Sequence, residues 1–153
     1  AVEQGEREGP EPLMRRNAGV AYGLGNIVEN AVDFAASEVT VTYGWTGDRV
    51  SIEIVDDGPG FPPEVLARIG DPYMTPTLSA PRASGGGLGL GLFIAKTLLE
   101  RAGAQIKFAN RSDNDGPGAC VHVSWPRSSF GRSPNRTEEP AEERMPSLAM
   151  PLA

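Results

Sequence analysis

Gly85-Gly86-Gly87-Leu88-Gly89-Leu90-Gly91-Leu92 decides how this chain is read. Five of its eight residues are glycine, and each costs about 1 kcal/mol in a helix interior. Residues 93–102, Phe-Ile-Ala-Lys-Thr-Leu-Leu-Glu-Arg-Ala, are good helix formers and follow at once. The pattern predicts a glycine-rich loop running into a helix N-terminus. Such a junction offers backbone N–H groups and the positive end of a helix dipole to an anion, phosphate first. Spacing tests which phosphate loop it is. A P-loop requires lysine after the last glycine, where Leu92 stands. A dinucleotide fingerprint needs a third glycine where the chain has Leu92 or Leu90. Both fail, leaving Gly87-x-Gly89-Leu90-Gly91-Leu92 as a different phosphate loop or a close-packed turn.

Downstream, Gly103 suits the residue that ends the helix. Residues 105–110 and 119–125 alternate as two strands, with a turn-rich loop at 113–118. His122 falls between Val121 and Val123, on the opposite face, and reads as a structural strand residue. Cys120 shares that face, with no redox role expected.

Upstream, residues 70–86 carry three prolines and no period. A connection of this length next to the glycines suggests a lid, within which Arg82 is the only base and could reach a phosphate. Residues 63–69 read as a short helix opening on proline. Before them, residues 38–43 and 49–55 alternate around the turn Thr46-Gly47-Asp48, forming a hairpin. The second strand ends in Asp56-Asp57-Gly58-Pro59-Gly60. An aspartate there could accept a hydrogen bond from an exocyclic amine of a flat ligand, although an ordinary Asp-Gly turn reads the same way.

Residues 20–35 form an amphipathic helix. At about 100° per residue, Val20, Leu24, Ile27, Val28, Ala31, Phe34 and Ala35 share one face. Asn26, Glu29, Asn30 and Asp33 cluster opposite. Two asparagines at i and i+4 stack on one face and could aim carbonyl oxygens at Mg²⁺, which prefers hard oxygen ligands and keeps waters and substrate phosphates.

The 153 residues suit one domain, and a net charge of −6 with pI near 4.8 argues against a nucleic-acid partner. No apolar run reaches membrane-span length and no signal peptide opens the chain, so a cytoplasmic domain is expected. One cysteine and one histidine exclude a disulfide or a thiolate or His-based metal cluster. Residues 1–12 and 127–153 are rich in Pro and Glu and read as mobile ends. The division expected is a flexible or partial segment at 1–17, a folded domain at 18–126 and a disordered tail at 127–153.

The motifs occur in an order that resembles the catalytic domain of sensor histidine kinases. Asn26-Ile27-Val28-Glu29-Asn30-Ala31 is similar to their N box, Asp56-Asp57-Gly58-Pro59-Gly60 to their Asp-x-Gly-x-Gly box, and Gly87–Leu92 to their second glycine box. Asp71-Pro72-Tyr73-Met74-Thr75 resembles the intervening F box. The wording of residues 26–35 and 87–96 is similar to the redox-responsive RegB/PrrB branch.

The resemblance implies the Bergerat ATP-binding fold, an α/β two-layer sandwich with helices on one face of a mixed, mostly antiparallel sheet. It implies ATP and Mg²⁺, with Asn30 on the metal and Asn26 assisting. Asp56 would bind the adenine amino group, with Gly58 and Gly60 shaping that pocket. Gly87, Gly89 and Gly91 would provide lid hinge and phosphate contacts, with Leu88, Leu90 and Leu92 in the same box. Two departures matter. Asn26 stands where hydrolytic members carry a catalytic glutamate, which favours transfer over free hydrolysis. Asp33 stands where many sensor kinases carry Lys or Arg, and Arg82 could compensate. No helical pair bearing an acceptor histidine is in this sequence. The resemblance therefore implies an acceptor domain elsewhere in a membrane-bound homodimer of the bacterial inner membrane, with a response regulator downstream. A hydrolytic ATPase and a non-catalytic nucleotide-binding module are the alternatives.

Overall fold

The computed structural model describes residues 1–69, 90–112 and 115–132. The order is β1 (Val2–Arg7), β2 (Pro12–Leu13), α1 (Ala18–Phe34), β3 (Val39–Trp45), β4 (Arg49–Asp56), α2 (Pro63–Ile69), α3 (Leu90–Arg101), β5 (Gln105–Asn110), β6 (Ala119–Pro126) and β7 (Gly131–Arg132). The lid expected over 70–86, with its F box, lies outside the described residues.

β1, β3, β4, β6 and β5 form one sheet in that order. Only the β1–β3 pair is parallel; the other three pairings are antiparallel. The hairpin closes at Thr46–Asp48, and its register sets Val41 opposite Ile54 and Tyr43 opposite Ile52. Register then sorts the faces. Ile54, Val121 and Phe108 align across three strands on the side that meets the helices. Glu53, His122 and Lys107 align on the other. His122 is thus a strand residue between two charged neighbours, as its alternation implied. The Cys120 thiol, partly buried beside Glu53, is pushed up to about 11 by burial first and that carboxylate second, which keeps it protonated and unreactive at neutral pH.

Helices α1 and α3 lie on one face and bury Ile27, Leu92 and Leu99 against Ile54, Val123 and Trp125. Each such side chain contributes about 1.5–3 kcal/mol by leaving water. The architecture is the expected two-layer sandwich. The helices meet closely because α1 carries a glycine at the crossing. A Cβ on Gly23 would stand 2.9 Å from Leu99 Cγ and 3.1 Å from the Ala95 carbonyl oxygen.

The ends differ from their reading as mobile. β1 pairs with β3 although all six of its residues are exposed. Main-chain bonds hold it, with the Arg7 guanidinium 5.0 Å from the Trp45 ring centre and 5.7 Å from that of Tyr43. Trp45 Nε1 donates to the Gly9 carbonyl at 3.3 Å, and β2 pairs with β7. Residues 127–132 are ordered too: a 3-10 turn at Arg127–Ser129 brings Phe130 edge-on to Trp125, 6.1 Å between ring centres. The helix α1 also starts earlier than its apolar period, because Asn17 Oδ1 accepts from the Val20 N–H and caps it.

Gly23→Ala sets two effects against each other. Helix propensity favours alanine by about 1 kcal/mol, whereas overpacking against a fully buried leucine costs about 1–3 kcal/mol. We expect a net loss of stability, read as a lower urea midpoint; an equal or higher midpoint would show that α3 yields at Leu99.

Candidate functional site

The end of β4 is tightly constrained. Asp56 is 5% exposed. Its Oδ1 accepts from the Gly58 N–H at 2.8 Å and the Ala119 N–H at 3.2 Å. One carboxylate oxygen therefore ties the turn after β4 to the first residue of β6. Among the described residues no donor reaches Oδ2. The glycines around it are needed for close approach. A Cβ on Gly58 would lie 2.1 Å from the Phe34 carbonyl oxygen, and one on Gly118 2.0 Å from the Asp56 carbonyl oxygen. Gly60 has φ +81° and packs on Asn110. Asn110 Oδ1 accepts from the Phe61 N–H at 2.6 Å, and its Nδ2 donates to the Phe61 carbonyl at 3.0 Å. Asn110 and Gly118 escaped the sequence reading; Gly118 could have been suspected from Gly116-Pro117-Gly118 just before a strand.

The neighbouring aspartate does a different job. Asp57 Oδ1 accepts from the N–H groups of Ala36, Ser37 and Glu38 at 2.9, 2.9 and 3.0 Å, and Oδ2 from the Ser37 hydroxyl at 2.5 Å. It pins the turn between α1 and β3. The Glu38 N–H first, then the Ser37 hydroxyl and N–H, hold its carboxyl well below the usual carboxylate range.

Asp56 lines a cavity of about 30 Å³ that opens to solvent. Its walls are apolar: Ile27, Ala31, Ile54, Phe61, Leu92 and Val121. Asp56 and Asn30 supply its polar side chains. Gly60 lines the cavity and Gly58 does not; Gly58 acts by seating the turn against the end of α1. Leu92, 1% exposed, is a wall of the cavity and part of the core.

The two asparagines of α1 are turned by their own helix. Asn26 Nδ2 donates to the Tyr22 carbonyl at 3.1 Å and Asn30 Nδ2 to the Asn26 carbonyl at 2.7 Å. Each amide commits a donor to the turn before it, and no described donor occupies either Oδ1. The described part of α3 already includes Leu90, three residues before the expected start, so Gly91 and Leu92 lie within the helix. A Cβ on Gly91 would lie 3.3 Å from Asn26 Oδ1 and 3.9 Å from Asn30 Nδ2. The fold thus brings Asn26, Asn30 and the N-terminal end of α3 together, beside the cavity that Asp56 closes. Of the remaining candidates, Arg82, Gly87, Leu88 and Gly89 lie outside the described residues. Among those described, no cluster of three His, Cys, Asp or Glu side chains could hold a metal. The hard oxygens on offer are the asparagine amides, neutral and unoccupied by donors, which suit Mg²⁺ alongside anionic oxygens from a ligand.

An apolar slot with one buried carboxylate, beside paired asparagines and a glycine-bearing helix turn, has the chemistry to suit a nucleotide. Residues 18–129 match the family of histidine kinase-, DNA gyrase B- and HSP90-like ATPases, and the chain belongs to that family. It is similar to Sensor histidine kinase RegB of Cereibacter sphaeroides, 48% identical over 128 residues, 76% of this chain and 28% of that protein. It is also similar to Sensor histidine kinase CpxA of Escherichia coli K12, 33% identical over 99 residues, 65% of this chain and 21% of that protein. The chain therefore spans about a quarter of the length of these relatives. The fold matches a mycobacterial sensor histidine kinase, MprB, with a TM-score of 0.58 at 20% identity, covering 86% of this chain and 84% of that one. The catalytic domain of histidine kinase ThkA matches with a TM-score of 0.58 at 21% identity, covering 82% and 78%. Among the described residues no helix is long and apolar enough to cross a membrane.

Two outcomes follow from the two aspartates. Asp56→Ala orphans two buried N–H groups at about 1–3 kcal/mol each, whereas Asp56→Asn keeps an oxygen for both; thermal unfolding should separate the variants, with alanine far less stable. Asp57 has a depressed folded pKa, so its contribution is complete above the unfolded value of about 4 and is lost as pH falls through the folded one. Asp57→Asn should be less stable than the unchanged protein at neutral pH, with the gap in urea midpoint shrinking below about pH 4; a gap independent of pH would contradict this.

Proposed function

We propose that this chain is the ATP-binding catalytic domain of a RegB-like sensor histidine kinase. In this reading it binds ATP with Mg²⁺ and donates the γ-phosphate to a histidine on an acceptor domain elsewhere in the protein. The observation that carries the reading is the Asp56 carboxylate, fixed through Oδ1 with Oδ2 left at an apolar slot. Adenine has the chemistry this slot asks for: its ring would lie against the apolar walls and its exocyclic amine would donate to Oδ2. A base presenting a carbonyl there would face a carboxylate without a proton between them.

From Asp56 the phosphates run along α1 to Asn30 and Asn26, where the N-terminal end of α3 offers N–H groups and a favourable dipole. Asn30, with Asn26 assisting, would hold Mg²⁺, which when bound neutralises phosphate charge. Neutral amides add no negative charge beside the phosphates. Gly87, Gly89 and Arg82 complete the phosphate end, with Leu88 and Leu90 beside them, as the family resemblance implies.

The work of this chain is positioning and charge neutralisation. The acceptor imidazole nitrogen forms the N–P bond, the bond from the γ-phosphorus to its bridging oxygen breaks, and ADP leaves. Asn26 carries no group able to take a proton from water, which supports transfer over hydrolysis. The domain at 18–126 would work within a membrane-bound homodimer, with its own face in the cytoplasm, and a response regulator would receive the phosphate in turn.

Calorimetry tests the binding half. ATP should bind with Mg²⁺ present, and Asp56→Asn should weaken binding at least roughly tenfold, because a donor then meets the adenine amine. Asn30→Asp adds charge beside the phosphates and should lower phosphotransfer to an acceptor fragment of the C. sphaeroides relative. Tight ATP binding with unchanged transfer by Asn30→Asp would remove the metal assignment. Steady phosphate release without acceptor would favour the hydrolytic reading.

A further inference from the structure

Tyr22 lies on the stripe of α1 that carries Asn26 and Asn30, one turn nearer the helix N-terminus. Successive positions on this stripe are about 6 Å apart along the axis. Asn30 lines the cavity, and Asn26 and Tyr22 lie beyond its lining. The Tyr22 carbonyl accepts the Asn26 amide, so this aromatic stands on the turn that orients Asn26. Its side chain is 56% exposed and belongs to no part of the core. Among the described residues its hydroxyl has no hydrogen-bond partner. Around it α1 presents small residues: Ala18 and Ala21 exposed, Gly25 half-buried. The first turn of α1 carries no acidic residue to repel an approaching chain already crowded by phosphate.

An aromatic knob on a floor of small residues lets another backbone come close and bury the ring, the pattern of an interface anchor. We propose that Tyr22 is the acceptor-side anchor of the transfer, packing its ring against the segment that delivers the phosphoacceptor histidine. The inference rests on the nucleotide reading, because the run of ATP from Asp56 past Asn30 and Asn26 is what brings the γ-phosphate to Tyr22. The occupant follows from that position: a partner covering Tyr22 sits where the γ-phosphate emerges, and the transfer requires the acceptor there. Ring burial, rather than the hydroxyl, is the contact assigned.

The test uses the whole chain with an acceptor fragment of the C. sphaeroides relative supplied in trans. Tyr22→Ala should raise the KM for the acceptor at least roughly tenfold, leave the ATP dissociation constant unchanged, and be rescued by Tyr22→Phe. An acceptor KM unchanged in Tyr22→Ala, with ATP still bound, overturns the inference and leaves the nucleotide reading standing. A weakened ATP affinity in Tyr22→Ala, or a Tyr22→Phe variant as impaired as alanine, moves the side chain to the nucleotide and overturns it as well. A self-association of the chain lost on Tyr22→Ala, with acceptor KM unchanged, assigns the face to a second copy instead. Failure of the unchanged protein to bind ATP at all overturns the nucleotide reading, and the anchor with it.

Discussion

A single carboxylate oxygen, Asp56 Oδ1, cross-links the end of β4 to the turn that follows it and to the neighbouring strand β6. It accepts from the turn after β4 and from the first residue of β6. The backbone packs around it so closely that Gly58 and Gly118 admit no side chain. This junction also seats the end of α1, since Gly58 rests on the Phe34 carbonyl. A buried ionised group is unfavourable unless hydrogen-bonded. Here the bonds come from the backbone and reach Oδ1, and among the described residues no donor reaches Oδ2. The structural role of Asp56 and its proposed ligand-facing role are divided between its two oxygens.

A similar division governs α1. Asparagine is a mediocre helix former because its side chain competes for backbone groups. In α1 that competition is put to use: each amide donates to the carbonyl four residues back, and the Asn26 oxygen is left beside the start of α3. Charged residues at these places would bring stronger metal affinity but would repel phosphates. The close crossing of α1 and α3 at Gly23 keeps the two elements in register, so the placement of Gly91 beside Asn26 is set by core packing.

Much of this was legible in the sequence, and for definable reasons. The polar stripe of α1, the hairpin and β5–β6 all repeat with the period of the element they form, and all appear where periodicity put them. β1 did not, because periodicity reports burial and every residue of β1 is exposed; main-chain bonds and the contacts of Arg7 hold it. The 3-10 turn at 127–129 was missed because one contact, Phe130 on Trp125, orders it. Residues 90–92 were left out of α3 because glycine propensity disfavours Gly91 in a helix, while burial of Leu92 draws its turn into the core. Asn110 and Gly118 act on residues distant in sequence, where no local rule reaches.

The adjacent pair Asp56-Asp57 shows most clearly how fold selects chemistry. Both residues are carboxylates, and composition gives no reason to prefer either. Alternation places them on opposite sides of β4: Asp56 follows Ile54 toward the helices, while Asp57 follows Val55 outward and catches the turn after α1. A slip of one residue in the β4 register would exchange them. The ligand slot would then lose its fixed carboxylate, because Asp57 is followed by no glycine able to rest on Phe34 at the right spacing. The pairing of Val41 with Ile54 and of Ile54 with Val121 is therefore as much a part of the site as the aspartate itself. The hydrophobic core chooses which carboxylate faces the cavity.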